Sequence, residues 1–315
     1  MQKNRYVSAM QAFSDLFGKN REVSVYSTPG RTELAGNHTD HNLGIAVAGT
    51  VQADIIAIVS KNNENIVRVR SRGYDKTITV DLTQLEINEN ETGRSPALVR
   101  GIAAGIAHFN GKIGGFDVYT NSFILKGSGL SSSAAFEICL ANIFNCEFNG
   151  GNLGLIKIAK IAQWAENIYY GKESGLLDAL ACSFGGIVKV DLQDENAPKI
   201  KRLKENEMCK AYKLYITDTQ GTHGNQIKEV SEICLDMKKV AQFFDKNFLR
   251  QVNEKDFYAR LPDIRDNLGD RAVLRSIHFF EECKRAEKVF LALKNNNAEQ
   301  FLKEIIDCGN SSFEY

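Results

Sequence analysis

KGSGLSSSAAFEICLANIF, residues 126–144, passes from a glycine-serine loop straight into a helix, and how it is read decides how the chain is organised. Successive small residues let a backbone approach a ligand closely. The helix that follows turns its free N–H groups and positive dipole end back into the loop. Such a loop takes an anion, most often a phosphate, from Gly127, Ser128, Gly129 and Leu130 onward; the hydroxyls of Ser131, Ser132 and Ser133 add donors and a candidate Mg2+ ligand. It is not a Walker A loop, which ends in Gly-Lys-Ser/Thr. Nor is it a dinucleotide fingerprint, because the third glycine of that pattern is Ser132 here. On the residues alone, a flexible turn with Ser131 as a plain helix N-cap is the alternative.

Outward from the loop, the pattern mixes strands and helices. Tyr6, Met10, Phe13 and Phe17 fall at helical spacing and predict an amphipathic first helix. EVSVYS (22–27) predicts a strand and IAVAGTVQADIIAIVS (45–60) a buried one, while residues 65–82 read as a hairpin around Arg72-Gly73. A helix is expected over 95–109, a strand over 116–125, helices over 153–170 and 175–185, and a strand over 186–192. The charged, poorly periodic segment 194–210 reads as a linker between a domain at 1–193 and another at 211–315. Strand YKLYIT (212–217) is expected to open the second domain, followed by helices over 226–244, 247–259, 272–294 and 297–308. A lone strand forms no sheet, so this half is either helical with a strand lent to the first, or lacks sequence that should follow Tyr315.

The bulk composition excludes several classes. At 43% hydrophobic and 25% charged, the chain reads as ordinary globular protein. Lys+Arg and Asp+Glu both number 39, so no net field draws it to nucleic acid or to an anionic membrane. No apolar run approaches the roughly 18–20 residues of a membrane span, and the first twenty residues are no signal peptide. Seven scattered cysteines without a C-x-x-C pair argue against a disulfide framework or a zinc site and for a reduced, cytoplasmic setting. The sequence assigns no oligomeric state.

Two further segments concentrate chemistry. GRTELAGNHTDHN (30–42) holds one Arg, one Glu, one Asp, two Asn and two His, more than a connecting loop needs. Asp178, in GLLDAL, is flanked by Leu176, Leu177, Ala179 and Leu180. An acid in such an apolar run is partly buried and needs a partner, which Arg31 could supply. Phosphoryl transfer needs a carboxylate for Mg2+ and often another near the accepting hydroxyl. Glu166 is a candidate for the first, although taken singly it reads as a solvated helix residue. His41 is expected to line the turn, His108 and His278 to be structural, and His223 to carry no chemistry.

Together, GRTELAGNHTDHN, KGSGLSSSAAFE and GKESGLLDALA resemble the galactokinases of the GHMP kinase family, in the form found in the Gram-positive bacterial branch. ITDTQGTHG (216–224) and GDRAVLRSIHFFEE (269–282) resemble that branch too, in the right order. The resemblance implies an α+β, two-domain fold, with a ribosomal-protein-S5-like first domain and a ferredoxin-like second domain that looks truncated. It implies an enzyme that moves the γ-phosphoryl group of ATP, with Mg2+, to the anomeric hydroxyl of a galactose-like sugar. Carried over by position, Arg31 and Asp178 become the catalytic pair. Asn37, His38, Asp40, Gly175 and Asp178 become sugar contacts, Gly127 to Ser133 the phosphate loop, and Ser133 and Glu166 the Mg2+ ligands.

Four departures stand out. Asn37 replaces the acid of the commoner first motif, and Ala179 the usual glutamine. Asn225 and Val230 stand where an aspartate and a tyrosine are expected. The third, glycine-rich motif of the family would lie beyond Tyr315. Two readings therefore remain at this stage. One is an active kinase for galactose or a related hexose; the other is an impaired or truncated relative that binds sugar or nucleotide without turnover.

Overall fold

The computed structural model describes residues 2–125, 127–203, 206–217 and 227–315. His223 and Asn225 lie outside the described residues, as does the side chain of Val230. Contacts group the chain into two units, one of residues up to Arg31 with Thr50–Phe184 and one of Thr32–Gly49 with Gly185–Tyr315.

The first unit begins with helix α1 (Gln2–Phe17), whose Ala9 and Phe13 are buried against Ile56, Ile58 and Tyr119, with Tyr6 and Phe17 alongside. Met10, expected on that face, is instead exposed, because the 6, 9, 13, 17 spacing makes a narrow stripe that passes beside it. Strand β1 (Ser24–Ala35) runs further than EVSVYS, so Arg31 sits on a strand and not in a loop. Strand β2 (Ile45–Lys61) is long; its end pairs antiparallel with β5 (Phe116–Ser122), Ile58 opposite Tyr119. β3 (Ile66–Ser71) and β4 (Ile78–Asp81) form the expected hairpin, turning at Gly73 with φ +82°. β3 and β5 are parallel, and a parallel pair needs a crossover. Helix α2 (Ser95–His108) supplies it.

The remaining helices of this unit are α3 (Ser132–Asn149), α4 (Leu155–Ala165) and α5 (Leu177–Phe184). A π-turn over Glu166–Tyr170 ends α4. The α2–α4 crossing is set by glycine. A Cβ on Gly101 would stand 2.9 Å from Cβ of both Ala165 and Tyr169, so the helices approach only because none is there.

In the second unit the start of β2 pairs antiparallel with β6 (Ile187–Asp191), which pairs with β7 (Lys199–Leu203). The helices are α6 (Glu207–Ala211), α7 (Ile227–Phe243), α8 (Glu254–Ala259), α9 (Leu261–Leu268), α10 (Asp270–Lys294) and α11 (Ala298–Glu314). Their core gathers Met237, Val240, Phe257, Phe279 and Val289, together with Ala35 and Val47. Among the described residues, 211–315 holds only helices.

Three expectations are corrected here. The stretch 194–210 holds β7 and α6; its charges are the solvent-facing residues of an edge strand, and Ile200 and Leu203 are the half-buried ones. Residues 212–217 form no strand, and with no strand to pair with among the described residues, Tyr212, Leu214, Tyr215 and Ile216 stay exposed. The helix expected over 247–259 is a short turn and then α8, capped by Asn253 at Lys255 N, after which Pro262 opens α9.

The α2–α4 contact yields a test. Gly101→Val should overpack the crossing and cost about 1–3 kcal/mol, read as a lower urea midpoint at unchanged m.

Candidate active site

Arg31 and Asp178 meet as a planar fork in the first unit. Arg31 Nε donates to Asp178 Oδ1 at 2.6 Å and Nη2 pairs with Oδ2, the two-bond geometry that matches guanidinium to carboxylate. Nη1 donates to Gly129 O at 2.5 Å, and the backbone N of Arg31 donates to Leu130 O at 3.1 Å. Gly30 permits this approach, since a Cβ there would stand 3.0 Å from Leu130 O. Asp178 lies in the first turn of α5, between the buried Leu177 and Ala179, and its side chain keeps about a third of its surface open. Gly175 precedes it on a segment pinned by Ser174, whose N and Oγ both donate to Asn167 Oδ1, at 2.9 and 3.0 Å.

The glycine-serine loop alternates its backbone. Gly127 (φ +77°), Gly129 (φ +73°) and Ser131 (φ +54°) are left-handed, and Ser128 and Leu130 are not. Alternation of this kind is the backbone pattern of anion-binding nests, although Ser128 N already donates to Leu125 O at 3.3 Å. Ser131 does stand at the N-cap of α3, but it makes no side-chain capping bond. A left-handed serine costs about 1 kcal/mol, and the capping that could offset it is missing. Ser128 is used differently: its Oγ donates to Leu125 O at 2.7 Å and closes the preceding turn.

Glu166 is nearly buried and pairs with Lys172 at 2.9 Å. Burial works against the Lys172 charge, but Glu166 beside it, with Asp178 and Glu137 adding, holds the ammonium pKa above its ordinary value. Glu137, on α3, is 1% exposed and its Oε1 has no partner among the described residues. Burial, and then the charge of Glu166, push its pKa well above the ordinary carboxylate value. Neither Lys172 nor Glu137 stands out in the sequence. The only signal was their place within GKESGLLDALA and SSSAAFE. No group of three or more His, Cys, Asp or Glu with metal-binding arrangement occurs among the described residues. The hydroxyl of Ser133 and the carboxylate of Glu166 are instead a donor set suited to Mg2+ that arrives already bound to a polyphosphate.

Asn37, His38 and Asp40 lie in the second unit, on a turn tied to itself by Thr39. Thr39 N donates to Gly36 O at 3.1 Å, and its Oγ1 lies 2.8 Å from Gly36 O and 3.1 Å from Ile45 O. Gly36 (φ +90°) cannot be replaced easily, because a Cβ there would come within 2.4 Å of Ile45 O. His38 is left-handed at φ +57°. Asn37 Nδ2 donates to Ser312 Oγ at 3.1 Å, and Asp40 Oδ1 accepts from His41 N at 3.0 Å. Asn42 Oδ1 accepts from Leu249 N at 3.2 Å.

Three imidazoles of this unit are held neutral. Burial, then the neighbouring His278 and Arg275, lower the pKa of His38. Burial, then His38 and Lys238, bring His41 down to about 3. His278 is lowered by burial, against hydrogen bonds to Asn37 and Ser311 that act the other way. Each folded pKa lies below the unfolded value near 6.5. Their stabilisation is therefore fully present above about pH 6.5 and is lost as pH falls from there down through each folded pKa. Between pH 6.5 and 5, His41 alone should cost about 1–2 kcal/mol. Urea unfolding at both pH values checks this, and His41→Gln should flatten the difference.

Residues 97–186 match the GHMP kinases N terminal domain, and residues 11–61 match the galactokinase galactose-binding signature. The galactokinase of Streptomyces coelicolor is 28% identical over 292 residues, covering 91% of this chain and 73% of that protein. The galactokinase of Clostridium tetani is 26% identical over 296 residues, covering 92% and 73%. The crystal structure of Lactococcus lactis galactokinase complexed with galactose superposes with a TM-score of 0.79 at 23% identity, covering 98% of this chain and 80% of that one, and so shares the fold. Both family models fall on the segments that carry the arginine–aspartate fork, the glycine-serine loop and the GNHTDHN turn, and over them the chain is similar to galactokinases of the GHMP kinase family.

Proposed function

We propose that this chain is a galactokinase that transfers the γ-phosphoryl group of ATP to the anomeric hydroxyl of D-galactose, giving galactose 1-phosphate and ADP. The observation that carries the reading is the Arg31–Asp178 fork, braced by Gly129 O. Asp178 accepts the proton of the C1 hydroxyl, or orients that hydroxyl while the proton leaves late. Arg31 orients the aspartate and stabilises charge on the phosphoryl group in flight. A loose transition state asks little of the base, so orientation is the larger part of its work.

The other residues fall into place around this step. The N–H groups from Gly127 to Ser133 wrap the nucleotide phosphates, and the α3 dipole adds to them. Ser133 and Glu166 hold Mg2+, which when bound neutralises charge on the phosphate oxygens. Asn37, His38, Asp40 and the backbone at Gly175 hold sugar hydroxyls. Such fixed polar partners are what separate an axial from an equatorial hydroxyl, because the two sugars hardly differ in size. Described cysteines, buried as at Cys139 and Cys182 or exposed as at Cys146, are free thiols, in keeping with a reduced, cytoplasmic compartment.

The deciding experiment is ADP release with Mg·ATP in the presence of D-galactose, glucose, N-acetylgalactosamine or no sugar. Galactose-dependent release is expected. Release that prefers another hexose would reassign the sugar, and galactose binding by calorimetry without release would make the chain a binding protein. Asp178→Asn keeps shape but not charge, and should lower kcat roughly 10²–10⁴-fold while galactose binding survives. Arg31→Lys should cost about 10²-fold, since an ammonium cannot form the fork.

A further inference from the structure

Two side chains one turn apart on α10 hold the two peptide groups that lead into His38. Glu282 Oε2 accepts from Gly36 N at 3.0 Å, and His278 Nε2 lies 2.9 Å from Asn37 O. A carbonyl only accepts, so Nε2 carries the ring proton; Nδ1, 2.8 Å from Ser311 Oγ, accepts from that hydroxyl. Glu282 is fully buried, pairs with Arg285, and accepts from Cys308 Sγ at 3.1 Å. Its acceptor is thus charged, which roughly doubles the strength of the bond to Gly36 N.

The grip falls where the backbone is least free to choose its own path. Gly36 is left-handed with no room for a Cβ, and His38 is a non-glycine residue in the same region. A strained residue of this kind persists only where its surroundings over-determine it. Thr39 ties the turn internally at Gly36 O and Ile45 O, but neither bond reaches Gly36 N or Asn37 O. Those two groups take their partners from α10. The helix does not need them in return, since Phe279, Phe280, Cys283, Ala286 and Val289 seat it in the core.

We propose that His278 and Glu282 are positioning residues for sugar recognition: by fixing the Gly36 and Asn37 peptide groups they set where His38 and Asp40 stand. The proposal rests on the reading of this turn as the element that holds the sugar. It assigns to α10 a share of substrate selectivity without contact to the substrate, acting through two hydrogen bonds to backbone.

The test is steady-state kinetics on the full chain, using variants that separate the donor from the bulk of the ring. A glutamine amide reaches the place of Nε2 and can donate to Asn37 O, whereas an asparagine amide stops near Nδ1. His278→Asn should raise the galactose KM about tenfold, the effect of one buried carbonyl left unpaired, with the ATP KM and Tm close to wild type. His278→Gln should return the galactose KM to within about threefold of wild type. Glu282→Gln keeps an acceptor but loses its charge, and should raise the same constant by about threefold. If His278→Asn does not fold, Ser311→Ala serves instead. It removes the hydroxyl that holds Nδ1 and with it the ring's orientation, and the galactose KM should rise while the ATP KM stays. Equal behaviour of the Asn and Gln variants, or equal rises in both KM values, would overturn the proposal and leave His278 a packing residue. A wild type that neither binds nor phosphorylates galactose would overturn the reading of the turn itself, and that is seen before any variant is made.

Discussion

A guanidinium laid flat against one carboxylate keeps three pieces of the first unit in register. Arg31 belongs to β1, Asp178 to α5, and the third arm of the same guanidinium holds Gly129 in the glycine-serine loop. The residues involved are far apart in sequence, and only a planar, multiply donating cation can satisfy all three at once. Removing either charge would leave the other poorly solvated and uncompensated, which costs more than the pair contributes. The geometry of the pair is also what sets the loop against the strand.

The electrostatics around that fork are close to balanced. Burial pushes the Glu137 pKa up, and the two acids beside it are each paired, Glu166 with Lys172 and Asp178 with Arg31. The orphaned Oε1 of Glu137 is the local cost of the arrangement.

The GNHTDHN turn solves a different problem: it must present side chains from a backbone that has no regular ladder to support it. Its peptide groups are satisfied instead by Thr39, by Glu282 and His278 of α10, and by the bond from Leu249 N to Asn42. Each imidazole is neutral, so each offers one donor and one acceptor and adds no charge to a half-buried site. Histidine suits this role, because a lysine or arginine would bring a charge that the turn could not pair.

Local chemistry was legible in the sequence because it depends on neighbours along the chain. Period-two and helical spacing marked β2, the β3–β4 hairpin, α2 and α3. An acid in the apolar run GLLDAL asked for a cation, and small residues before a helix marked the anion loop. What misled was equally local: charges on the edge strand β7 read as a linker, and the apolar YKLYIT read as a strand although no strand among the described residues pairs with it. Only the tertiary structure decided that Arg31 forks onto Asp178 while bracing Gly129, that Glu137 is buried without a partner beside Glu166, and that His278 and Glu282 reach back more than two hundred residues to Gly36 and Asn37. The physical reason is that burial and pairing are properties of place. A residue's type says what bonds it can make, and the packing of distant elements decides which of them it does.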